Sequence, residues 1–204
     1  MASSGAKKKN ARRTGRQNTV RATKSDHMPA WDKESGYLNV IVDTPRGSAI
    51  KFKYDISKRL YKISHLLPPG TVFPFDFGSI PSTRAEDGDP LDVLILMEQP
   101  SFSGCLVPVR LVGVIEAKQT EEGKTQRNDR LVGVAAASRV YETTRTLEDL
   151  PERRLTEIEH FFIAYNKERG RNFRPIGRFG PTRADVLVKK GEKCYRDDQS
   201  GQTA

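Results

Sequence analysis

The chain has 204 residues, 36% hydrophobic and 30% charged, with a formal net charge of +9. That suits one domain with extensions, large enough to bury a proper core. No apolar run approaches the length of a bilayer span and no secretory segment stands near the start, so a cytoplasmic location is expected. Two cysteines, Cys105 and Cys194, with three scattered histidines give no four-ligand zinc site and read as free thiols.

Residues 1–24 hold eight Lys and Arg and no Asp or Glu, so nearly all of the net charge belongs to this segment. With few apolar residues it cannot repay its ordering entropy, and 1–30 is expected to be a disordered basic arm. Such an arm either contacts a polyanion through counterion release or simply solvates the protein. Order is expected from Trp31. Leu38 to Asp43 predicts a strand, and Pro45-Arg46-Gly47-Ser48 its turn. The next strand alternates: Ile50, Phe52 and Tyr54 fall on one face, Lys51, Lys53 and Asp55 on the other. Tyr61, Ile63 and His65 share a face of the strand after it. Val93–Met97 is apolar on both faces and should be buried. Leu106–Ile115 and Leu131–Ala137 predict further strands, separated by a polar loop from Glu116 to Arg130.

Pro151 suits the first turn of a long helix ending near Gly170, with Leu155, Ile158, Phe162 and Tyr165 at helical spacing. Pro181 to Lys190 predicts a shorter helix stopped by Gly191, leaving 192–204 as a loose tail. Many short strands with Gly and Pro turns point to a closed or nearly closed barrel.

The most informative segment is Asp87-Gly88-Asp89-Pro90-Leu91-Asp92-Val93. Three carboxylates lie within six positions, on a turn that Gly88 tightens and Pro90 stiffens. Each raises the others' pKa, and a hard divalent cation with oxygen ligands is the usual relief. The segment reads as a metal-assisted phosphate or water chemistry site at a strand end; the alternative is a solvated acidic turn with no ligand. A calcium loop is excluded, because Leu91 falls where a third alternate ligand belongs and Gly88 comes too early.

This motif resembles the signature of the soluble family I inorganic pyrophosphatases. Phe73-Pro74-Phe75-Asp76-Phe77-Gly78-Ser79-Ile80, Val112-Gly113-Val114, and Asp149-Leu150-Pro151 with His160-Phe161-Phe162 are similar to further landmarks of that family, over residues 37 to 190. The resemblance implies a mainly β fold with helices (α+β), a five-stranded OB-like barrel flanked by two helices, in a domain spanning 31–191. It also implies hydrolysis of diphosphate with several Mg2+ ions. Asp87 and Asp92 would then be metal ligands, and Asp89 the general base and a further ligand. Lys51, Arg130 and Tyr165 would hold phosphate.

The departures from the family pattern are equally specific. Asp43 stands for a glutamate, Lys53 for a carboxylate, His65 for an arginine, Phe77 for a tyrosine and Asn166 for a lysine. Counting back from Leu131 puts Asn128 in place of a metal-binding aspartate. A rearranged loop would instead present Asp129, with Glu121 or Glu122 for its companion. These changes add about one positive charge to the site and disfavour at least one divalent ion. Partners implied are diphosphate or a related phosphate compound and further copies of the chain, with no membrane. Rival readings are a same-fold enzyme with an altered phosphate substrate, and an impaired homologue that binds a polyanion through residues 1–24.

Overall fold

The computed structural model describes residues 28–201. The basic arm, apart from its last three residues, lies outside the described residues. Those three are part of the folded unit: Ala30 is fully buried, and the Asn39 side chain donates to the Pro29 carbonyl at 2.9 Å.

Five strands close a ring. β1 (Leu38–Thr44) pairs antiparallel with β4 (Asp76–Ser79), which pairs antiparallel with β5 (Asp92–Leu96). β5 runs parallel to β8 (Arg130–Ala135), β8 pairs antiparallel with the long β6 (Leu106–Glu121), and β6 returns to β1. Closure removes the free edges that an open sheet would expose. β2 (Ile50–Asp55) and β3 (Leu60–Leu66) form a separate hairpin, tied to the barrel where the Thr44 hydroxyl accepts the Phe52 amide at 3.0 Å.

Both faces of β5 are buried, as its continuous apolar run requires. Val93 and Ile95 join Val40, Val42, Val109 and Leu131 in one core, which Ala184 and Val188 complete. Leu94 and Leu96 belong to a second core with Val132, Val134, Leu155, Ile158 and Phe162. The helix α1 (Glu152–Lys167) begins just after Pro151, as expected, and is followed by Gly170 at φ +70°, a left-handed turn that glycine takes without penalty. α1 therefore presents its apolar stripe to the second core, with Tyr165 packed at the edge of that core.

Three expectations are corrected. The segment 116–130 is not a loop. β6 continues to Glu121, and β7 (Lys124–Arg127) pairs back on it through a two-residue turn with Glu122 at φ +48° and Gly123 at +77°. On its other edge this half of β6 pairs with β9 (Asn172–Phe179), a strand that the sequence reading did not anticipate. Lys and Glu have weak strand propensity, but here the flanking strands satisfy the backbone on both edges. Nor does the last helix stop at Gly191: α2 runs from Pro181 to Gly201, so most of the supposed loose tail is helix. Gly191 is a close-approach position. A Cβ there would stand 2.6 Å from Leu91 Cδ1, and its carbonyl accepts the Arg84 amide at 3.0 Å. Finally, order begins before Trp31, because residues 28–30 pack on the barrel. No helix among the described residues is long and apolar enough to cross a membrane.

Candidate active site

The acidic turn is held from three sides. Gly88 sits at φ +86°, a conformation that side chains rarely adopt, and its amide donates to the Ala85 carbonyl at 3.1 Å. The Asp89 amide donates to Asp87 Oδ1 at 3.1 Å, while the Leu91 amide donates to the Thr83 hydroxyl. Asp92 opens β5, so the turn is anchored by a strand whose other four residues are buried. Asp87, Asp89 and Asp92 consequently face one cleft of about 520 Å³.

Opposite the turn stand cations. From β2, Lys51 and Lys53 both line this cleft, as do Phe52 and Tyr54. Lys53 Nζ lies 2.7 and 2.8 Å from the two oxygens of Asp89. Lys51 Nζ sits 3.7 Å above the centre of the Phe77 ring, a cation–π seat. Burial draws Lys51 down to about 8, against the pull of Asp43 and Asp92. Asp43, deeply buried on β1, is pushed up by that burial to about 6, with Lys51 opposing and Asp92 adding to the shift. Burial also raises Asp87, with Asp92 and Asp89 contributing by like-charge repulsion.

Arg130 is the pivot between the turn and β8. Its side chain is only 6% exposed, and Nη1 donates to Asp92 Oδ2 at 2.6 Å, to Asn128 Oδ1 and to the Asp129 carbonyl. The guanidinium also lies 4.9 Å from the Phe162 ring centre. From α1, Tyr165 reaches the cleft with its hydroxyl while its ring packs on Phe73 and Phe161. That hydroxyl is 2.7 Å from His65 Nε2 and 3.4 Å from Arg169 Nη1. Burial and the neighbouring Arg169, Lys51 and Arg171 hold His65 down to about 4, so the ring is neutral near pH 7.

The structure brings Asp87, Asp89, Asp92, Lys51, Arg130 and Tyr165 together. It does not bring Glu121 to them, and Asp129 lies outside this cleft, although it shares a neighbouring crevice with Asp87, Asp92 and Arg130. Arg127 takes both oxygens of Asp129, and Asp129 Oδ1 also accepts the Ala117 amide; the pair stands behind the acidic turn in a narrow crevice. Glu121 pairs with Arg171 at 2.7 Å. Asn128 faces the cleft beside Gln119, to which its side-chain amide donates at 2.7 Å. The physical reason is competition for Asp129 and Glu121, each of which is paired with an arginine, while Glu122 is spent on the β6–β7 turn. Arg84, Arg169 and Arg171 also line the cleft and were not singled out from the sequence. The cluster Arg169-Gly170-Arg171 was legible as basic, but it read as the end of a helix.

Magnesium is commonly held by one or two carboxylates plus substrate phosphates, rather than by an all-protein cage. Asp87, whose carboxylate closes no ion pair among the described residues, with the second oxygen of Asp92, matches that donor set. Asp89 is engaged by Lys53 and Asp129 by Arg127, and no group of three or more His, Cys, Asp or Glu suited to a metal occurs among the described residues. The residues therefore fit a divalent ion at Asp87 and Asp92.

Fold and cleft together define a closed OB-like barrel protein whose mouth is lined by acids on one side and by lysines and arginines on the other. The family model described as inorganic pyrophosphatase matches residues 40–196, and the chain belongs to that family. Inorganic pyrophosphatase of Methanosarcina acetivorans is 33% identical over 157 residues, covering 77% of this chain and 91% of the relative. That of Thermus thermophilus is 36% identical, covering 68% and 77%. The crystal structure of inorganic pyrophosphatase from Thermus thermophilus superposes with a TM-score of 0.77 at 31% identity, over 85% of this chain and 99% of that one. A structure from Neisseria gonorrhoeae gives 0.75 at 27%, again over 85% and 99%.

Proposed function

We propose that this protein hydrolyses inorganic diphosphate to two phosphates, with magnesium as the metal. The observation that carries the reading is the placement of three carboxylates, Asp87, Asp89 and Asp92, on one rigid turn across a single cleft from Lys51, Lys53 and Arg130. Relatives named inorganic pyrophosphatase, alike over most of their length, support it. A divalent cation bound on Asp87 and Asp92 would supply Lewis-acid neutralisation of phosphate charge.

The residues of the chain divide the remaining work. Asp89 accepts the proton of the attacking water as the new P–O bond forms. Lys51, Arg130 and the Tyr165 hydroxyl hold the phosphate oxygens and stabilise the charge on the leaving phosphate as the bridging P–O bond breaks. Phe73, Phe77 and Phe162 give those cations a low-dielectric backing, which strengthens their pull on charge. The same reading places the protein in the cytoplasm. Further copies of the chain would cover the exposed Ile56, Leu60, Ile63 and Leu66 of the β2–β3 hairpin region. A polyanion contact is assigned to residues 1–24.

Phosphate release from diphosphate, followed with magnesium added and then chelated, tests the reading. Release by the wild type that is undiminished in Asp89→Asn removes the proposed mechanism, and no release at all removes the activity. A second reading, hydrolysis of a substituted diphosphate, is favoured by the volume of the cleft and by the Tyr54–Tyr61 ring pair on its wall, 5.3 Å between centres. Turnover across a panel of diphosphate esters separates the two.

A further inference from the structure

The full length of α2 brings to the cleft an element that no sequence motif pointed to. Lys190, Gly191, Cys194, Tyr195, Asp198 and Gln199 recur at intervals of three and four along it, so they share one face. Lys190, Gly191 and Cys194 line the narrow crevice behind the acidic turn, whereas Tyr195 and Gln199 line the cleft itself. Arg84 lines both.

Four contacts tie this face to the chain around the turn. The Arg84 amide donates to the Gly191 carbonyl at 3.0 Å. A Cβ at Gly191 would stand 2.6 Å from Leu91 Cδ1 and 3.3 Å from Thr83 Cβ, so helix and turn are in close contact. Lys190 Nζ lies 3.4 Å from Glu86 Oε1, and Arg84 Nε lies 2.5 Å from Asp198 Oδ2. Arg84 carries the last tie to the tip of the turn, because its Nη1 donates to the Gly88 carbonyl at 3.2 Å. That carbonyl and the Asp89 amide belong to one peptide group, and the Asp89 amide donates to Asp87 Oδ1. Arg84 and Asp87 therefore grip opposite ends of the same peptide.

The Arg84–Asp198 pair is 35% and 46% exposed, and a pair so open adds little to stability. Its effect is geometric. The planar guanidinium has fixed donor directions, so a carboxylate on Nε settles where Nη1 points.

We infer that Arg84 is a positioning residue for the metal-binding turn, held in place by Asp198 of α2. The series Asp198, Arg84, the Gly88–Asp89 peptide and Asp87 sets the direction in which the Asp87 carboxylate meets a divalent ion. Asp198 lies past residue 196, where the match to the family model ends. The inference rests on the proposed function for the ion at Asp87 and Asp92, and adds the residues that keep that site in shape.

The test pairs calorimetric titration of the full chain with magnesium and hydrogen exchange of the turn amides in EDTA. Asp198→Asn and Arg84→Met should each weaken magnesium binding about tenfold, the scale on which partners of a metal ligand act. Both should speed exchange at Gly88 and Asp89, and Asp198→Glu should recover most of each loss. Asp185→Asn is the control: Asp185 pairs with Lys189 at 2.6 Å and lines neither the cleft nor the crevice, so both readouts stay at wild-type values. Circular dichroism verifies folding, which the exposure of Asp198 makes the expected result. Unchanged magnesium affinity in Asp198→Asn and Arg84→Met overturns the inference, even if exchange quickens. A loss of equal size in Asp185→Asn, or a wild type that binds no magnesium, overturns it too. Weakened binding in the variants of a wild type that releases no phosphate would remove the proposed activity and leave the inference standing. Phosphate release by a wild type whose variants bind magnesium equally well would do the reverse.

Discussion

The chain has two acidic segments, and they meet opposite fates. In the turn 87–92 the carboxylates lie across a cleft from cations that belong to other elements, so the charges remain addressable from solvent. In the β6–β7 hairpin and the residues around it every carboxylate with a role is closed off. Glu116 is held by Arg127 at 2.7 Å and Arg183 at 2.6 Å, Asp129 by Arg127, and Glu121 by Arg171. Asp129 has both oxygens taken by one arginine, whereas the Arg130 bond to Asp92 engages Oδ2. Proximity in sequence to a barrel mouth is not sufficient.

The comparison predicts a hierarchy of effects. The largest is Asp89→Asn, which should lower phosphate release from magnesium diphosphate by on the order of a hundredfold to ten-thousandfold, the usual contribution of a general base. A steady-state phosphate assay measures it, and an unchanged rate would put the turn on the same footing as the hairpin.

Arg130→Met comes next, because Arg130 joins the two regions. It strips Asp92 and Asn128 of their shared donor in a part-buried setting and should cost about 3 kcal/mol of stability by urea unfolding. Asp129→Asn should lose about 1 kcal/mol by the same measurement, since the Arg127 pair weakens, while turnover is unchanged. A fall in turnover with stability intact would move Asp129 from the crevice into the chemistry. Glu121→Gln breaks a half-exposed pair and should shift stability by less than about 0.5 kcal/mol.

The smallest effect is a pH response. His65 is held down to about 4 in the fold, with burial first and Arg169 next among the causes. The unfolded chain therefore binds this proton near its ordinary value of about 6.5, and the folded chain resists it. Stability from this group is present above that value and is lost as pH falls toward 4. An NMR titration should place the imidazole midpoint near 4 in the wild type and higher in Arg169→Ala. A wild-type midpoint at the ordinary histidine value would mean that the ring does not sit against those arginines.

Most of the framework was legible in the chain. Alternation in Ile50–Asp55, the doubly apolar Val93–Met97 and the helical spacing of Leu155, Ile158 and Phe162 reflect burial that each segment carries in its own pattern. The acidic turn was legible for the same reason: Gly88, Pro90 and three aspartates state a local geometry in six positions. The far half of β6, β7, β9 and the last turns of α2 were not, because polar strands and a glycine-bearing helix are stabilised by partners remote in sequence. Gly191 shows the point well. Read alone it is a helix stop, and only Leu91 packing against it makes it a contact.

By itself the sequence pointed to a closed or nearly closed barrel and set three carboxylates within six positions of one turn, because periodicity and turn chemistry act over a few residues. Which side chains complete that mouth was decided by the tertiary structure alone. Lys53 on Asp89, Arg130 on Asp92, Asn128 inside and Asp129 outside are outcomes of competition among charges tens of residues apart. Electrostatic pairing depends on distance in space, and only the closed ring of strands sets those distances.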